Sequence, residues 1–186
     1  MIICAIDPGF IESAYVLLDG DAPVQFDKVR NESLLVELGG GGPFTGGAVM
    51  VMEQIEGFGM PAGKELFETV FWAGRFCERW GTHSEWHRMP RKEVKIHICG
   101  STKANDGNVR QALIDRYGGN SVAIGGKKCP ACKGKMWTGK LRTPCEACLQ
   151  SGWQFPPGPL NRMHADCWQA LALGIAWREI NEACPA

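Results

Sequence analysis

Short apolar runs separated by polar turns dominate the first part of the chain, a pattern typical of β-strands. Apolar residues fill 2–6, and a second strand is predicted at 13–18 after a tight connection that suits a hairpin. A third strand is predicted at 24–29. The apolar run at 48–52, which glycine bounds, predicts a buried fourth strand.

Helical periodicity appears between and after these strands. A short helix is predicted from Asn31 or Ser33 to Leu38, and a long helix over 64–80. The glycine-rich segment 39–47 between them is predicted to be a flexible loop. The apolar stripe expected to face the core on the long helix consists of Leu66, Phe67, Val70, Phe71, Gly74 and Cys77.

The remaining elements alternate. A strand is predicted at 83–87, a helix from Pro90 to 99, and a helix over 108–117 that Asn105 or Asp106 caps. The last predicted helix spans 163–182, with Asp166 in its first turn. Strands followed by strands and helices in alternation predict an α/β fold with a mixed sheet. No internal repeat is evident.

The length and composition limit the class of protein. A chain of 186 residues fits one domain with a small insert. No apolar run approaches a membrane span, and the N-terminus lacks the basic region of a signal peptide. We therefore expect an intracellular, cytoplasmic protein without a membrane partner. In a reducing compartment its nine cysteines are expected to be thiols or metal ligands.

The net charge of zero conceals two halves of opposite sign. Residues 1–85 hold 13 acidic and five basic side chains, whereas 86–186 hold seven acidic and 15 basic ones. A polyanion partner for the basic half is one interpretation, and two solvated surfaces that cancel is the other.

Three carboxylates are expected to converge at one edge of the sheet. Asp7 ends the first strand, Glu53 ends the fourth, and Asp166 begins the last helix. Close carboxylates repel each other, which raises their pKa values, and Mg²⁺ or Mn²⁺ relieves that repulsion. Two such ions can clamp the attacking and leaving oxygens of a phosphodiester displacement. Taken singly, the three residues also suit a turn, a strand end and a helix dipole.

Four motifs in order resemble those of one nuclease family. They are IDPGF at 6–10, MEQI at 52–55, MPRKEVKIHICGSTKANDGNV at 89–109 and HADCWQALALGIAW at 164–177. Together they resemble the RuvC-type Holliday junction resolvases of the ribonuclease H-like superfamily, most of all members found in phages and related elements. The resemblance implies that residues 1–186 form a ribonuclease H-like nuclease domain, either phage-encoded or from a bacterial host cell.

The resemblance also implies an activity and its residues. We expect a Mg²⁺- or Mn²⁺-dependent endonuclease that cuts branched DNA by symmetric nicks and acts as a homodimer, because two strands must be cut. Asp7, Glu53 and Asp166 would hold the metal. His164 would be the fourth catalytic residue, although it lies two residues before Asp166, where the family spacing is three. The alternative for His164 is a polar surface residue.

Residues outside the metal site are expected to contact DNA. Phe58, assisted by Met60, stands near the position of the family's aromatic wedge, and its alternative is packing onto the core. The family usually has a lysine where this chain has Asp106, for which helix capping is the alternative. Backbone contacts would come instead from four cations, whose alternative is solvated helix charge: Arg91, Lys95, Lys103 and Arg110.

The segment 125–158 contains two Cys-x-x-Cys pairs, Cys129/Cys132 and Cys145/Cys148. This spacing predicts a zinc ribbon inserted in the nuclease domain, and two disulfides are the alternative. Six basic residues lie in this region, namely Lys127, Lys128, Lys133, Lys135, Lys140 and Arg142. With Trp137 and Trp153 they indicate a nucleic-acid contact, whereas a structural knob or a dimer contact remains the alternative.

Two other functions stay open. A related nuclease could act on replication forks or RNA–DNA hybrids, because the fold does not determine the substrate. A catalytically silent zinc-ribbon protein that binds nucleic acid would also fit the cysteine and lysine pattern.

Overall fold

The computed structural model describes residues 1–39, 47–57, 59, 62–82, 84–139 and 141–183. The chain divides into two compact units. Unit one comprises residues 1–112 and the chain from Met163 onward, and unit two comprises Leu113–Arg162. The predicted zinc-ribbon segment, 125–158, lies within unit two. The predicted loop at 39–47 lies largely outside the described residues.

Unit one contains a five-stranded mixed sheet in the order β3-β2-β1-β4-β5. The strands are β1 Ile2–Asp7, β2 Glu12–Asp19, β3 Ala22–Arg30, β4 Val49–Gln54 and β5 Trp86–Pro90. β1, β2 and β3 are antiparallel neighbours, whereas β4 runs parallel to β1 and β5 runs parallel to β4. The predicted α/β class with a mixed sheet is confirmed.

The helices are α1 Asn31–Leu38, α2 Lys64–Gly81, α3 Arg91–Cys99, α4 Asp106–Arg116, α5 Asn120–Ala123 and α6 Cys167–Ala183. The predicted start of the last helix at 163 is wrong. Asp166 immediately precedes α6, and its carbonyl oxygen accepts hydrogen bonds from the N–H groups of Gln169 and Ala170. Asp166 therefore lies at the N-terminal boundary of α6 and not inside its first turn.

Helices cover both faces of the sheet. One face of β1 presents Cys4 and Ile6 to a core that α1 and α2 complete with Leu34 and Phe76. α6 covers the other face so closely that a Cβ on Gly174 would lie 3.1 Å from the Cβ of Ala5. Side chains alternate along a strand, so Asp7 shares the α6 face with Ala5.

The predicted core stripe of α2 is wrong. Trp72, Phe76 and Trp80 are buried, whereas Phe67 and Phe71 are 65% and 59% exposed. Residues 72, 76 and 80 also follow a four-residue spacing, so the helix carries two apolar stripes. Packing against α1 and the sheet buries one stripe and leaves the other at the surface.

The scattered cysteines partly match the expectation of small core residues. Cys4 and Cys167 are buried, and burial raises the pKa of the Cys167 thiol to about 11. Cys77 and Cys99 are only half-buried. The predicted core position of Cys184 lies outside the described residues. No helix in the described part of the chain combines the length and apolarity that a membrane crossing requires.

Unit two contains two small antiparallel sheets. One pairs β6 Lys127–Lys128 with β9 Trp153–Phe155, and the other pairs β7 Trp137–Thr138 with β8 Thr143–Pro144. Each sheet therefore joins a strand before one cysteine pair to a strand after the other.

Candidate active site

Asp7 is the last residue of β1, and Glu53 is the last but one of the neighbouring parallel strand β4. Ile6 of β1 lies opposite Met52 of β4, so the next residues of the two strands are the two carboxylates. Ile6 and Met52 point into the core on the α1 and α2 side of the sheet. Because successive side chains of a strand point to opposite faces, Asp7 and Glu53 both lie on the α6 face. The first and fourth strands are therefore neighbours, which was the condition for Asp7 and Glu53 to emerge side by side.

A buried polar network shapes the turn that follows Asp7. The Ser13 hydroxyl donates to Asn31 Oδ1 at 2.7 Å, and Asn31 Nδ2 donates to the Gly9 carbonyl at 2.9 Å. The Gly9 N–H donates in turn to Ser13 Oγ at 3.1 Å. These bonds hold the turn without the Asp7 side chain, so turn formation does not account for this carboxylate.

The Asp7 carboxylate is half-buried and forms neither a salt bridge nor a side-chain hydrogen bond with any described residue. Burial raises its pKa to about 8, with further contributions from the negative charges of Glu53, Asp166 and Asp106, and Arg91 opposes the shift. Burial also raises the pKa of Glu53. Proximity of negative charge, expected for converging carboxylates, thus contributes at Asp7.

Arg91, the first residue of α3, neutralises part of this charge. Its Nη1 donates to Glu53 Oε2 at 2.9 Å, and its Nη2 donates to Asp106 Oδ1 at 2.7 Å. Arg91 follows β5, whose Pro90 lies opposite Gln54, which explains why it reaches the end of β4. The structure therefore places this residue, expected to contact DNA, between two carboxylates.

Asp106 is not the N-cap of α4. Asn105 precedes the helix and accepts a hydrogen bond from the Asn108 N–H at 2.9 Å, while Asn108 Oδ1 accepts one from the Asn105 N–H at 3.0 Å. This reciprocal pair resembles a capping box, so the cap alternative for Asp106 is wrong. Its carboxylate is free to pair with Arg91.

Asp166 pairs with Lys28, a residue that the sequence analysis missed. Lys28 Nζ lies 2.6 Å from Asp166 Oδ2, and this hydrogen bond raises the pKa of Lys28. Lys28 is opposite Ala14, which is opposite Asp7, so it lies two strands from Asp7 on the same face. A helical or charge pattern cannot reveal this; only the register of three strands brings Lys28 to the site.

The carboxylates of Asp7, Glu53 and Asp166 are suitable ligands for a divalent cation, although their oxygens are not close enough together to surround one in this arrangement. Carboxylate oxygens suit Mg²⁺ or Mn²⁺, and Asp7 forms no salt bridge with a described residue. Within the described ranges, the carboxylates do not form a group of three ligand atoms within 4.8 Å of one another. Lys28 and Arg91 hold Asp166 and Glu53 in this arrangement.

A cavity of about 330 Å³ opens beside Asp166, between the first turns of α4 and α6. Asp106, Arg110 and Trp168 line it, and the Arg110 guanidinium lies 5.1 Å from the Trp168 ring centre. The cavity thus combines a cation with two carboxylates at its edges.

The other candidates of unit one are less clearly placed. His164 is exposed, and within the described residues its imidazole makes no hydrogen bond or ion pair with the three carboxylates. Lys95 is half-buried and close enough to lower the pKa of Glu53 against the larger effect of burial. Lys103 is exposed. Phe58 and Met60, the expected wedge residues, lie outside the described residues.

The four cysteines of unit two form a compact cluster. Their Sγ atoms all lie within 4.8 Å of one another, with separations of 3.9 Å for Cys129–Cys145 and 3.7 Å for Cys132–Cys148. Zn–S bonds of about 2.3 Å give a tetrahedral edge of about 3.8 Å, which these separations match. All four are free thiols, so the disulfide alternative is wrong. The cluster could hold a metal ion.

Around this cluster the expected basic residues are at the surface. Lys127, Lys128, Lys133 and Lys135 are exposed, and the Arg142 guanidinium lies 5.5 Å from the centre of the Trp137 ring. Lys140 lies outside the described residues.

Sequence comparison and structure comparison give different results for this chain. No family model matches it, and no curated protein sequence is a significant match. Among solved structures, RuvC of Thermus thermophilus superposes with a TM-score of 0.56 at 10% identity, covering 98% of this chain and 96% of that one. The same protein in complex with Holliday junction substrate superposes with a TM-score of 0.55 at 9% identity and the same coverage. This chain therefore has the ribonuclease H-like fold of RuvC.

Proposed function

We propose that this chain is a Mg²⁺- or Mn²⁺-dependent, structure-selective DNA endonuclease that resolves four-way (Holliday) junctions by paired nicks. Residues 1–186 would form the nuclease domain, with a zinc ribbon at 125–158. The observation that carries the proposal is Asp7, a half-buried carboxylate beside Glu53 that forms no salt bridge within the described part of the chain. It lies on a fold shared with a protein solved in complex with Holliday junction substrate.

The carboxylates of Asp7, Glu53 and Asp166 would hold the divalent metal. When bound, the metal would supply a nucleophile at neutral pH and stabilise the leaving oxygen of the phosphodiester. Lys28 pairs with Asp166, and Arg91 pairs with Glu53. If a bound metal neutralised these carboxylates instead, both cations would be available to contact DNA phosphates.

DNA contacts in unit one would come from cations near the site, one exposed and one half-buried. Arg110 lines the cavity beside Asp166, and Lys95 approaches Glu53. Lys103 and Phe58 remain proposed contacts on the sequence motif alone. His164 would act at the site only if DNA or metal binding turned its imidazole inward.

A homodimer is part of this proposal, because one chain offers one carboxylate site and paired nicks need two. The α2 face, defined as the exposed residues Phe67, Val70 and Phe71, supports a contact with a second copy. An apolar face of this kind on one helix is typical of the centre of a protein interface.

The test of catalysis is the substitution Asp7→Asn. We expect it to abolish nicking of a four-way junction in Mg²⁺ or Mn²⁺ while junction binding stays within about threefold of wild type, because the exposed cations that hold the backbone are intact. Gel-shift and cleavage assays on the same substrate measure both. Simultaneous loss of binding and nicking would indicate a structural role for Asp7.

The substrate needs a separate comparison. Four-way junction, replication fork, linear duplex and RNA–DNA hybrid should be cleaved side by side by the wild-type protein. The proposal expects the junction to be cut fastest and symmetrically. Preference for the fork or the hybrid would favour the related nuclease, and binding without nicking in either metal would favour the catalytically silent zinc-ribbon protein.

A further inference from the structure

Unit two is built from a sequence repeated at an interval of 16 residues. The segment 127–137 reads KKCPACKGKMW, and the segment 143–153 reads TPCEACLQSGW. The metal-ligand cysteines, one alanine and the closing tryptophan coincide. The expectation that the chain lacks an internal repeat is therefore wrong for this unit.

The backbone hydrogen bonds repeat at the same interval of 16 residues. Cys129 N–H donates to the Gly152 carbonyl at 3.0 Å, and its counterpart Cys145 donates to Met136, the counterpart of Gly152, at 3.0 Å. Lys128 lies opposite Trp153 in one sheet, as Pro144 lies opposite Trp137 in the other. The two halves are thus related by an approximate two-fold axis.

The unusual backbone angles repeat as well. Lys133 and Leu149 have φ values of 52° and 47°, and Met136 and Gly152 have φ values of 68° and 77°. Left-handed angles at matching places show that the two cysteine turns adopt one conformation. Each position in the first half therefore has a structural equivalent in the second.

The two halves differ in charge. The first half carries four lysines and no acid, and the second carries no lysine and one acid, Glu146. The lysines are 127, 128, 133 and 135, and their counterparts are Thr143, Pro144, Leu149 and Ser151. Because the second half folds without charge at these places, the fold does not require the lysines.

The lysines are also close together and exposed. A Cβ on Gly134 would lie 3.1 Å from Cδ of Lys128, so the stem of Lys128 lies over the turn between Lys133 and Lys135. No carboxylate pairs with any of the four ammonium groups in the described part of the chain. Like charges on neighbouring residues without carboxylate partners repel one another, which favours a bound anion.

We propose that this basic half, defined as Lys127, Lys128, Lys133 and Lys135, is a binding site for the phosphate backbone of duplex DNA. The choice of DNA as the ligand rests on the proposed function, whereas the location of the site rests on the charge difference between the two halves. Flexible ammonium groups suit phosphates as point charges.

An acidic protein is the competing ligand, and the surface favours DNA. Protein interfaces have an apolar centre. The more exposed apolar residue of the repeat, Leu149 at 87%, belongs to the second half, whereas Met136 of the first half is 45% exposed. The basic half therefore offers four charges around one partly exposed methionine, which is little apolar surface for the centre of a protein interface.

The repeat supplies the test variant. Lys127→Thr, Lys133→Leu and Lys135→Ser together install the residues that the second half already accommodates. Binding of a short fluorescein-labelled duplex is measured by anisotropy over a KCl series, with Ca²⁺ replacing Mg²⁺ to prevent cleavage. We expect affinity to fall about tenfold or more, and the slope of log K against log salt to decrease by about 2.7, because each phosphate contact contributes roughly 0.9.

A second variant separates position from net charge. It adds Thr143→Lys, Leu149→Lys and Ser151→Lys to the first three changes, which restores the wild-type net charge on the other half. The proposal expects binding to remain weak. Restored binding, or unchanged binding in the first variant, would overturn it. So would an acidic polypeptide that binds the wild-type protein more tightly than the duplex does at the same salt concentration, with that preference lost in the first variant.

A milder variant guards against misfolding. Lys127→Gln with Lys135→Gln changes only exposed side-chain ends and should lower the slope by about 1.8. Wild-type circular dichroism with an unchanged slope would count against the site. Because binding is measured without cleavage, loss of the site and failure of the proposed nuclease function are distinguishable: a protein that never nicks DNA can still show the lysine-dependent slope.

Discussion

The carboxylate of Asp7 lies beside Glu53 and forms no salt bridge with any residue that the structure describes, although Arg91 and Lys28 neutralise Glu53 and Asp166. The raised pKa of Asp7 also affects the free energy of unfolding of the protein. The ordinary pKa of 3.8 applies in the unfolded chain, and the folded value is about 8. Between these values the folded state binds more protons than the unfolded state, so the free energy of unfolding falls as pH rises.

Substitution Asp7→Asn should therefore stabilise the protein in the absence of Mg²⁺, and increasingly so from pH 3.8 up to about 8. The gain in Tm should be near zero at the acidic end, where both side chains are neutral, and level off above the folded pKa. Thermal unfolding across this range measures it. Asp19→Asn, at an exposed strand end, is the control for the same change of side chain away from the site. A gain that is constant with pH would contradict the assignment.

The carboxylates of the site could be predicted from the sequence, whereas the basic residues that pair with them could not. Asp7 and Glu53 were predictable because each follows an apolar run whose strand end the pattern defines. Lys28 and Arg91 were not assigned to the carboxylates, since their pairing depends on sheet register and on where α3 begins. His164 and Asp106 depended on helix starts, the least certain feature of a pattern.

At the scale of elements, α6 and α2 show how packing treats similar glycines differently. Gly174 of α6 faces the sheet, where a Cβ would lie 2.5 Å from Cδ1 of Leu18 and 3.1 Å from Cβ of Ala5. Gly74 of α2 is exposed, and a Cβ there would meet nothing within 4 Å.

These two glycines form a matched pair of substitutions. Gly174→Ala should destabilise the protein by about 1–3 kcal/mol, because the helix must move off the sheet. Gly74→Ala should stabilise it by about 0.5–1 kcal/mol through helix propensity. Chemical denaturation measures both free energies. Equal effects of the two substitutions would mean that α6 does not pack as described.

The exposed α2 face gives a prediction about assembly. Phe67→Ser with Phe71→Ser should raise the dissociation constant of the proposed homodimer by about tenfold or more, since truncating an aromatic anchor costs about 2 kcal/mol. Sedimentation equilibrium measures it. Val36→Ser removes a side chain that is 72% exposed on α1 and should leave assembly unchanged. Dimerisation unaffected by the α2 changes would place the contact elsewhere.

In the molecule as a whole, the two units are stabilised in different ways. Unit one buries a sheet between helices, whereas unit two has short strands of two or three residues and a cysteine cluster. Because unit two has so little regular structure, it buries little apolar surface. Binding of a metal by the four cysteines would then contribute to the free energy of folding of this unit.

Purified protein should accordingly contain one zinc ion per chain. Cys132→Ser or Cys145→Ser should remove most of it, because a tetrahedral site with one thiolate lost binds zinc far more weakly. Elemental analysis by mass spectrometry measures the content. Cys77→Ser, at a half-buried free cysteine of unit one, is the matched control and should retain the zinc. Full zinc content in the cluster variants would exclude the site.

Local periodicity and short-range geometry were enough to predict the first four strands, most helices, the mixed α/β class and the spacing of the four cysteines. The fifth strand was predicted at 83–87, but β5 is Trp86–Pro90. The tertiary structure decided which stripe of α2 is buried, which cations neutralise Glu53 and Asp166, and how the two halves of unit two correspond. Those outcomes depend on contacts between residues far apart in the chain, for which local periodicity carries no signal.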